Sequence, residues 1–247
     1  MNTHSKHQVI SFEELQNIEP PAKTSTYFPV AHSQFYQLCC IIGAEFDLPF
    51  KSDKIEISKN GDRAYIQIHF EHNKNKDYQL TVAFRSAYDK SASIGVASGP
   101  SIIICSNQII HGEDITVYRK HTKNIMIDLE EIIRTAIQVS LQNYEKRISW
   151  VESKKETILT KKQGLIILGA ARTFGILSNK TLPVALDHWN EPVFEQFKNE
   201  TNLFGIYQAL TWAFHKERPG LKLELYKKLK EFINSIETNE NADLLWL

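Results

Sequence analysis

Thr81 to Thr122 reads T-V-A-F-R-S-A-Y-D-K-S-A-S-I-G-V-A-S-G-P-S-I-I-I-C-S-N-Q-I-I-H-G-E-D-I-T-V-Y-R-K-H-T. Short apolar runs alternate there with polar, turn-forming knots. Leu80, Val82 and Phe84 alternate with Gln79, Thr81 and Ala83, the period of a strand with one face on a core. Ile94-Gly95-Val96, Ser101 to Cys105 and Ile115 to Tyr118 read as further short strands, with Gly99-Pro100 and His111-Gly112 as breaks. Upstream, Ala64, Ile66, Ile68 and Phe70 face one way, while Tyr65, Gln67, His69 and Glu71 face the other. Ile55 and Ile57 precede them, Asn60-Gly61 is a hairpin dipeptide, and the polar tip from His72 to Asp77 turns the chain. These runs predict an antiparallel meander with one covered face and one wetter face.

After Asn124 the period becomes helical. Leu129, Ile133, Ala136, Ser140, Tyr144, Ile148 and Val151 form one stripe with no proline in it, and Asp128 with Glu131 has capping-box spacing. The stripe predicts one long helix laid over the sheet. Lys154-Lys155 and Lys161-Lys162 bracket a break near Thr157 to Thr160. Leu165 to Leu177 reads as an apolar helix whose Gly164, Gly169 and Gly175 permit close packing. Pro183 and Pro192 punctuate a connector holding Trp189, Asn202 caps a helix running to His215, and Pro219 opens a last one with Leu225, Leu229, Phe232 and Ile236 on one face. Before the sheet, Ser33 heads a helix to Phe46 that carries Phe35, Leu38, Ile41, Ile42 and a small apolar Cys39. Residues 1–26 read as a polar N-terminal arm ending in a Pro20-Pro21 linker, with a short helix capped by Ser11 and Glu14. The fold class expected is α+β: an antiparallel β-meander covered by a long helix, with a helical C-terminal part. A single domain is expected over 27–240, its sheet in 50–124 and its helices in 125–240, followed by a tail at 241–247.

The 247 residues suffice for a sizeable core, and 29 basic residues cancel 29 acidic ones. The total charge thus announces no strongly basic domain, and only local patches are left to meet nucleic acid. Three cysteines, Cys39 and Cys40 adjacent, make neither a disulfide framework nor a C-x-x-C pair. The polar start M-N-T-H-S-K-H-Q resembles no targeting segment, and the apolar runs fall short of the ~20 residues that span a bilayer. A cytoplasmic protein without membrane contact is the expectation.

The polar knots hold most of the residues that could do chemistry. Cys105, His121 and Asp89 could serve as nucleophile, base and orienter, although a thiol closing a run of isoleucines reads more simply as structural. Ser106 and Asn107 sit where side chains cap a turn. His69, His72, His111, Glu113 and Asp114 follow no compact metal-binding spacing, and no phosphate loop or dinucleotide fingerprint occurs. No metal and no cofactor are therefore expected. Arg85, Tyr88 and Lys90 share one knot, and Tyr118, Arg119, Lys120 and His121 share another, with Lys123 following. Cations beside flat rings suit the phosphates and bases of a single strand; the alternative is a solvated basic loop.

R-S-A-Y-D-K-S at Arg85 to Ser91, I-C-S-N-Q at Ile104 to Gln108 and R-K-H-T at Arg119 to Thr122 resemble motifs of the phage/plasmid-like family called domain of unknown function nine-three-two. P-V-A-H at Pro29 to His32 is similar to that family's lead-in, and Asn202 to Glu217 to its late helix, so the resemblance spans about Phe28 to Glu217. The motif residues that carry over are Ser86, Asp89, Ser91, Cys105, Ser106, Asn107 and Thr122. Three positions depart: Arg85 stands for the usual Asn, Lys90 for the usual Gly, and Gln108 for the Gly after C-S-N. The resemblance implies a mobile-element origin without an established activity. The order of helix, meander and covering helix is also similar, at fold level, to single-strand annealing proteins of the Red-beta and RecT type.

The leading expectation is a non-enzymatic nucleic-acid-binding protein that assists single-strand annealing or recombination, with single-stranded DNA as partner and a homo-oligomer as assembly. Its contacts are Arg85, Tyr88, Lys90, Tyr118, Arg119, Lys120 and His121. One alternative is a hydrolase or modifying enzyme using Cys105, His121 and Asp89. Another is an interaction protein that modulates a host system; the C-terminal Leu-Leu-Trp-Leu reads either as a docked end of the chain or as a protein-binding tail.

Overall fold

In a computed structural model of the chain, the described residues are 7–72, 78–102, 115–193, 195, 198, 201–218 and 221–237. The protein is α+β: an antiparallel sheet of six strands with two helices between its first and second strands and the other helices after it. The chain divides into two compact units. The first comprises Met1–Ile104, Glu113–Tyr144 and Arg218–Leu223; the second comprises Cys105–Gly112, Glu145–Glu217 and Glu224–Leu247.

The first unit is built on the meander. Strands β1 (His7–Ile10), β2 (Phe50–Ser58), β3 (Arg63–Phe70), β4 (Tyr78–Ala87), β5 (Ile94–Ile102) and β6 (Ile115–Arg119) lie side by side in sequence order. The polar arm expected at the N-terminus thus contributes an edge strand, pairing His7–Ile10 with Ile55–Ser58. A four-residue strand carries too little pattern to be seen in sequence. Ser11 then caps α1 (Phe12–Gln16), accepting from the Glu14 N–H while Glu14 accepts from Ser11 N at 2.8 Å. Helix α2 (His32–Glu45) begins a residue before Ser33, with Gln34 reaching back to the Ala31 N–H.

Register puts the apolar residues on one face. Ile55 pairs with Ile66, Ile66 with Phe84, and Phe84 with Val96. Phe35, Cys39 and Ile42 of α2 pack on this row, with Leu129, Ile133 and Ile137 of α3 (Ile125–Gln142). Burying these aliphatic and aromatic groups is the main stabilising term of the unit, at about 1.5–3 kcal/mol for each large side chain.

The covering helix is shorter than its stripe predicts. Helix α3 stops at Asn143, whose side-chain amide donates to the Val139 carbonyl at 3.1 Å. That local bond competes with the backbone ladder, and a separate helix α4 (Tyr144–Glu156) follows. Asp128 and Glu131 are consequently not a cap, because α3 starts at Ile125. The opposite sheet face also differs from expectation. Tyr65, Gln67, His69, Gln79, Thr81 and Arg85 are buried rather than wet. They are satisfied partly among themselves, as where Thr81 Oγ1 lies 2.7 Å from His69 Nδ1 and 2.6 Å from Ser101 Oγ. Pro100 does not break β5 but pairs with Leu80, past Ser98 where the described β6 ladder ends. At that point a missing N–H interrupts no described pairing to β6.

The second unit is helical. It holds most of α4, then α5 (Lys161–Thr173), α6 (Leu182–Asn190), α7 (Leu203–Ala213) and α8 from Glu224 to Glu237, the helix itself starting at Lys222. Thr160 and Gln163 form the capping box of α5, and Asn202 caps α7 by accepting from Gly205 N at 2.8 Å. The segment expected as a connector is α6 itself, with Pro183 in its first turn, where a missing N–H costs nothing. No described helix is long and apolar enough to cross a membrane.

Candidate nucleic-acid interface

One end of the first unit gathers the β2–β3 turn, the β4–β5 turn, the β6–α3 link and the lead-in from Tyr27 to His32. The β2–β3 turn closes through Gly61, at φ 75°, whose N–H donates to the Ser58 carbonyl at 2.8 Å. The β4–β5 turn places Lys90 at φ 61°, so the left-handed position there is held by a lysine. Backbone bonds lace these segments together. Tyr88 N–H donates to the Asp62 carbonyl at 2.6 Å, and Phe28 N–H donates to the His121 carbonyl at 3.0 Å.

Side chains complete the knot. The Tyr27 hydroxyl donates to the Tyr88 carbonyl at 3.2 Å, and the Tyr88 hydroxyl accepts from His32 N–H at 3.0 Å. The His32 and Tyr88 rings stack at 4.0 Å with an interplanar angle of 4°. Tyr27 sits 5.0 Å from the His121 ring, and the Lys90 ammonium lies 4.6 Å from the Tyr27 centroid. Tyr27 therefore ties the β4–β5 turn to the β6–α3 link. Burial pushes the Tyr88 hydroxyl up to about 12 and lowers the pKa of His32 to about 4. His121 moves down for the same reason.

The charges of the end are sorted. Arg63 donates Nε and Nη2 to Asp89 Oδ2, at 2.8 and 2.5 Å, and Asp89 Oδ1 accepts from Ser91 N at 3.0 Å. Partial burial raises the Asp89 carboxyl, but these bonds outweigh it and leave the pKa below the usual range. Exposed Lys90, Arg119, Lys120 and Lys123 meet no carboxylate in any salt bridge among the described residues. Some other surface cations do: Arg134 pairs with Glu45 and Glu130, Lys155 with Glu152, and Lys198 with Glu195.

A second-face row leads to this rim. Glu56 pairs in register with Tyr65, Tyr65 with Arg85, Arg85 with Gly95, and Gly95 with Tyr118. Gly95 has no side chain, which leaves the lane open for Arg85 to reach across and lie 4.8 Å from the Tyr118 centroid. Tyr118 is thereby braced while remaining 37% exposed.

The predicted contact set divides accordingly. Arg85, Tyr88 and His121 are buried, at 5%, 8% and 6% exposure, and hold the end together instead of facing solvent. Lys90, Tyr118, Arg119 and Lys120 are exposed. Of the motif residues, Ser86 is buried in β4, Asp89 and Ser91 shape the turn, and Thr122 donates its N–H to the Lys120 carbonyl at 2.8 Å. Cys105, Ser106, Asn107 and His111 lie outside the described residues. Of the Cys105, His121 and Asp89 set, Asp89 is taken by Arg63, His121 packs against Tyr27, and Cys105 lies outside the described residues. No group of three or more His, Cys, Asp or Glu is placed to hold a metal among the described residues. Sequence reasoning missed Tyr27 and Arg63, which carry no motif, and read His32 only as the end of the P-V-A-H lead-in; all three reach this end through folding.

The chain matches no family model, no curated protein and no solved structure.

Proposed function

We propose that this protein holds single-stranded DNA along the rim of Lys90, Tyr118, Arg119, Lys120 and Lys123, as a non-enzymatic helper of strand annealing or recombination. One observation carries the reading. Lys90, Arg119, Lys120 and Lys123 are exposed, gather at one end of the first unit, and meet no carboxylate in a salt bridge among the described residues. A chain of zero net charge binds phosphates only where charge is segregated in this way. The braced, half-open Tyr118 ring beside the cations offers a stacking platform for an unpaired base.

A salt titration with single- and double-stranded DNA tests the proposal. The wild type should bind the single strand, with affinity falling steeply with salt. Arg119→Ala with Lys120→Ala should flatten the log–log slope by about 0.7 for each lost phosphate contact. Tyr118→Ala should cost about 1–3 kcal/mol for the single strand and much less for duplex. Absence of single-strand binding at low salt, or unchanged affinity and slope in these variants, would replace this reading with that of a protein-interaction surface.

A further inference from the structure

The second unit contains a cleft of about 420 Å³ that the rim does not involve. Val184, Asp187, His188 and Glu191 line it at the spacing of one helix face, along α6 and its C-cap. The Trp212 indole forms another wall, its ring 5.5 Å from that of His188, and Pro192 and Val193 add apolar surface. The lining carries two carboxylates and one ammonium. Asp187 and Glu191 are exposed and make no salt bridge among the described residues, while Lys198 is held at 2.5 Å by Glu195 and also feels the Glu191 charge. His188 is buried, and burial lowers its pKa to about 4, so it adds no positive charge near neutrality.

We propose that this cleft binds a small organic cation, a methylated ammonium or guanidinium group on a short apolar body. A tryptophan face attracts such a group more strongly than any other side-chain ring. The two carboxylates supply charge, and Val184, Pro192 and Val193 accept the apolar body. The volume suits a small ligand. A hard metal ion is disfavoured because apolar groups and one indole replace the ring of oxygens it requires. An anion would meet Asp187 and Glu191.

The test is titration of the full chain with butyltrimethylammonium chloride, followed by calorimetry and by tryptophan fluorescence. Butanol and potassium chloride serve as controls for the apolar body and for charge alone. Saturable binding is expected for the quaternary ammonium only. Asp187→Asn with Glu191→Gln, both at exposed positions, should weaken it at least about tenfold while circular dichroism stays unchanged. Glu195→Gln should also weaken it, by releasing Lys198 to compete for the carboxylates. Trp212→Phe should keep weaker binding and Trp212→Leu should lose it. No saturable binding, equal binding of butanol, or undiminished affinity in the carboxamide pair or in folded Trp212→Leu would overturn the proposal. Single-strand binding by the rim should be the same in all these variants, so the two proposals stand or fall separately.

Discussion

His32 shows how one residue writes the pH response of the candidate end. It is fully buried against Tyr88. Burial is the chief cause of its low pKa, about 4; the Gly61 backbone and Asp62 oppose the shift and His121 adds to it. The unfolded chain, with a histidine pKa near 6.5, takes up the proton first. Stability is thus full above about pH 6.5 and falls as the pH drops towards 4, by at most on the order of 3 kcal/mol for this group. His121, also lowered by burial, pushes in the same direction. The urea midpoint should decline from about pH 7 to about pH 5 in the wild type. His32→Phe, which keeps a flat ring on Tyr88, should flatten that decline. An equally steep profile in the variant would assign it to other groups.

Single elements carry sharper contrasts. On α5, Gly164 and Gly169 look alike in sequence. A Cβ at Gly164 would sit 2.2 Å from the Trp189 indole, whereas one at Gly169 meets nothing within 4 Å. Trp189 has little freedom to retreat, being 2% exposed and donating its indole N–H to the Lys161 carbonyl at 3.3 Å. Gly164→Ala should therefore lower stability by about 1–3 kcal/mol, and Gly169→Ala should raise it by up to about 1 kcal/mol. Thermal melts moving the same way in both variants would contradict the close packing of α5 on α6. Helix α3 offers a parallel case. Ile133 is fully buried and Ile127 is 71% exposed. Ile133→Ala should cost about 2–5 kcal/mol and Ile127→Ala no more than about 0.5. Ile148, predicted on the same stripe, is buried in α4 and is not part of the sheet core.

At the scale of the chain, the first unit is closed by an ion pair between distant residues. The Lys222 ammonium lies 2.5 Å from Glu56 Oε2, across 166 positions of sequence, and both side chains are 3% exposed. Lys54 adds a second contact to Glu56 at 3.2 Å. Burial raises the Glu56 carboxyl, but the two lysines outweigh it and bring it to about 2. Its contribution is therefore present above the unfolded carboxylate range near pH 4.3 and is lost as the pH falls towards 2. Lys222→Met should destabilise by up to about 3–5 kcal/mol, because it leaves the buried carboxylate only the Lys54 contact. Adding Glu56→Gln should restore part of the loss, which a double-mutant cycle would read as coupling. Simple additivity of the two changes would show that the pair does not act as a unit.

The sequence by itself determined the α+β class, the meander and the starts of α1, α2 and α7 to within a residue. Period-two alternation in Ala64 to Phe84 and local caps at Ser11 and Asn202 act over a few residues, so they can be read there. Edge strand β1 and the stop at Asn143 were not legible, since one is a four-residue strand defined by its partner and the other a single side-chain bond. For the candidate site, sequence pointed to Lys90, Tyr118, Arg119 and Lys120 as cations beside rings. Only tertiary structure decided that Arg85, Tyr88 and His121 turn inward, that Arg63 neutralises Asp89, and that Tyr27 and His32 join the end. Exposure and ion pairing depend on which distant segments meet, and strand register, not spacing along the chain, sets those meetings.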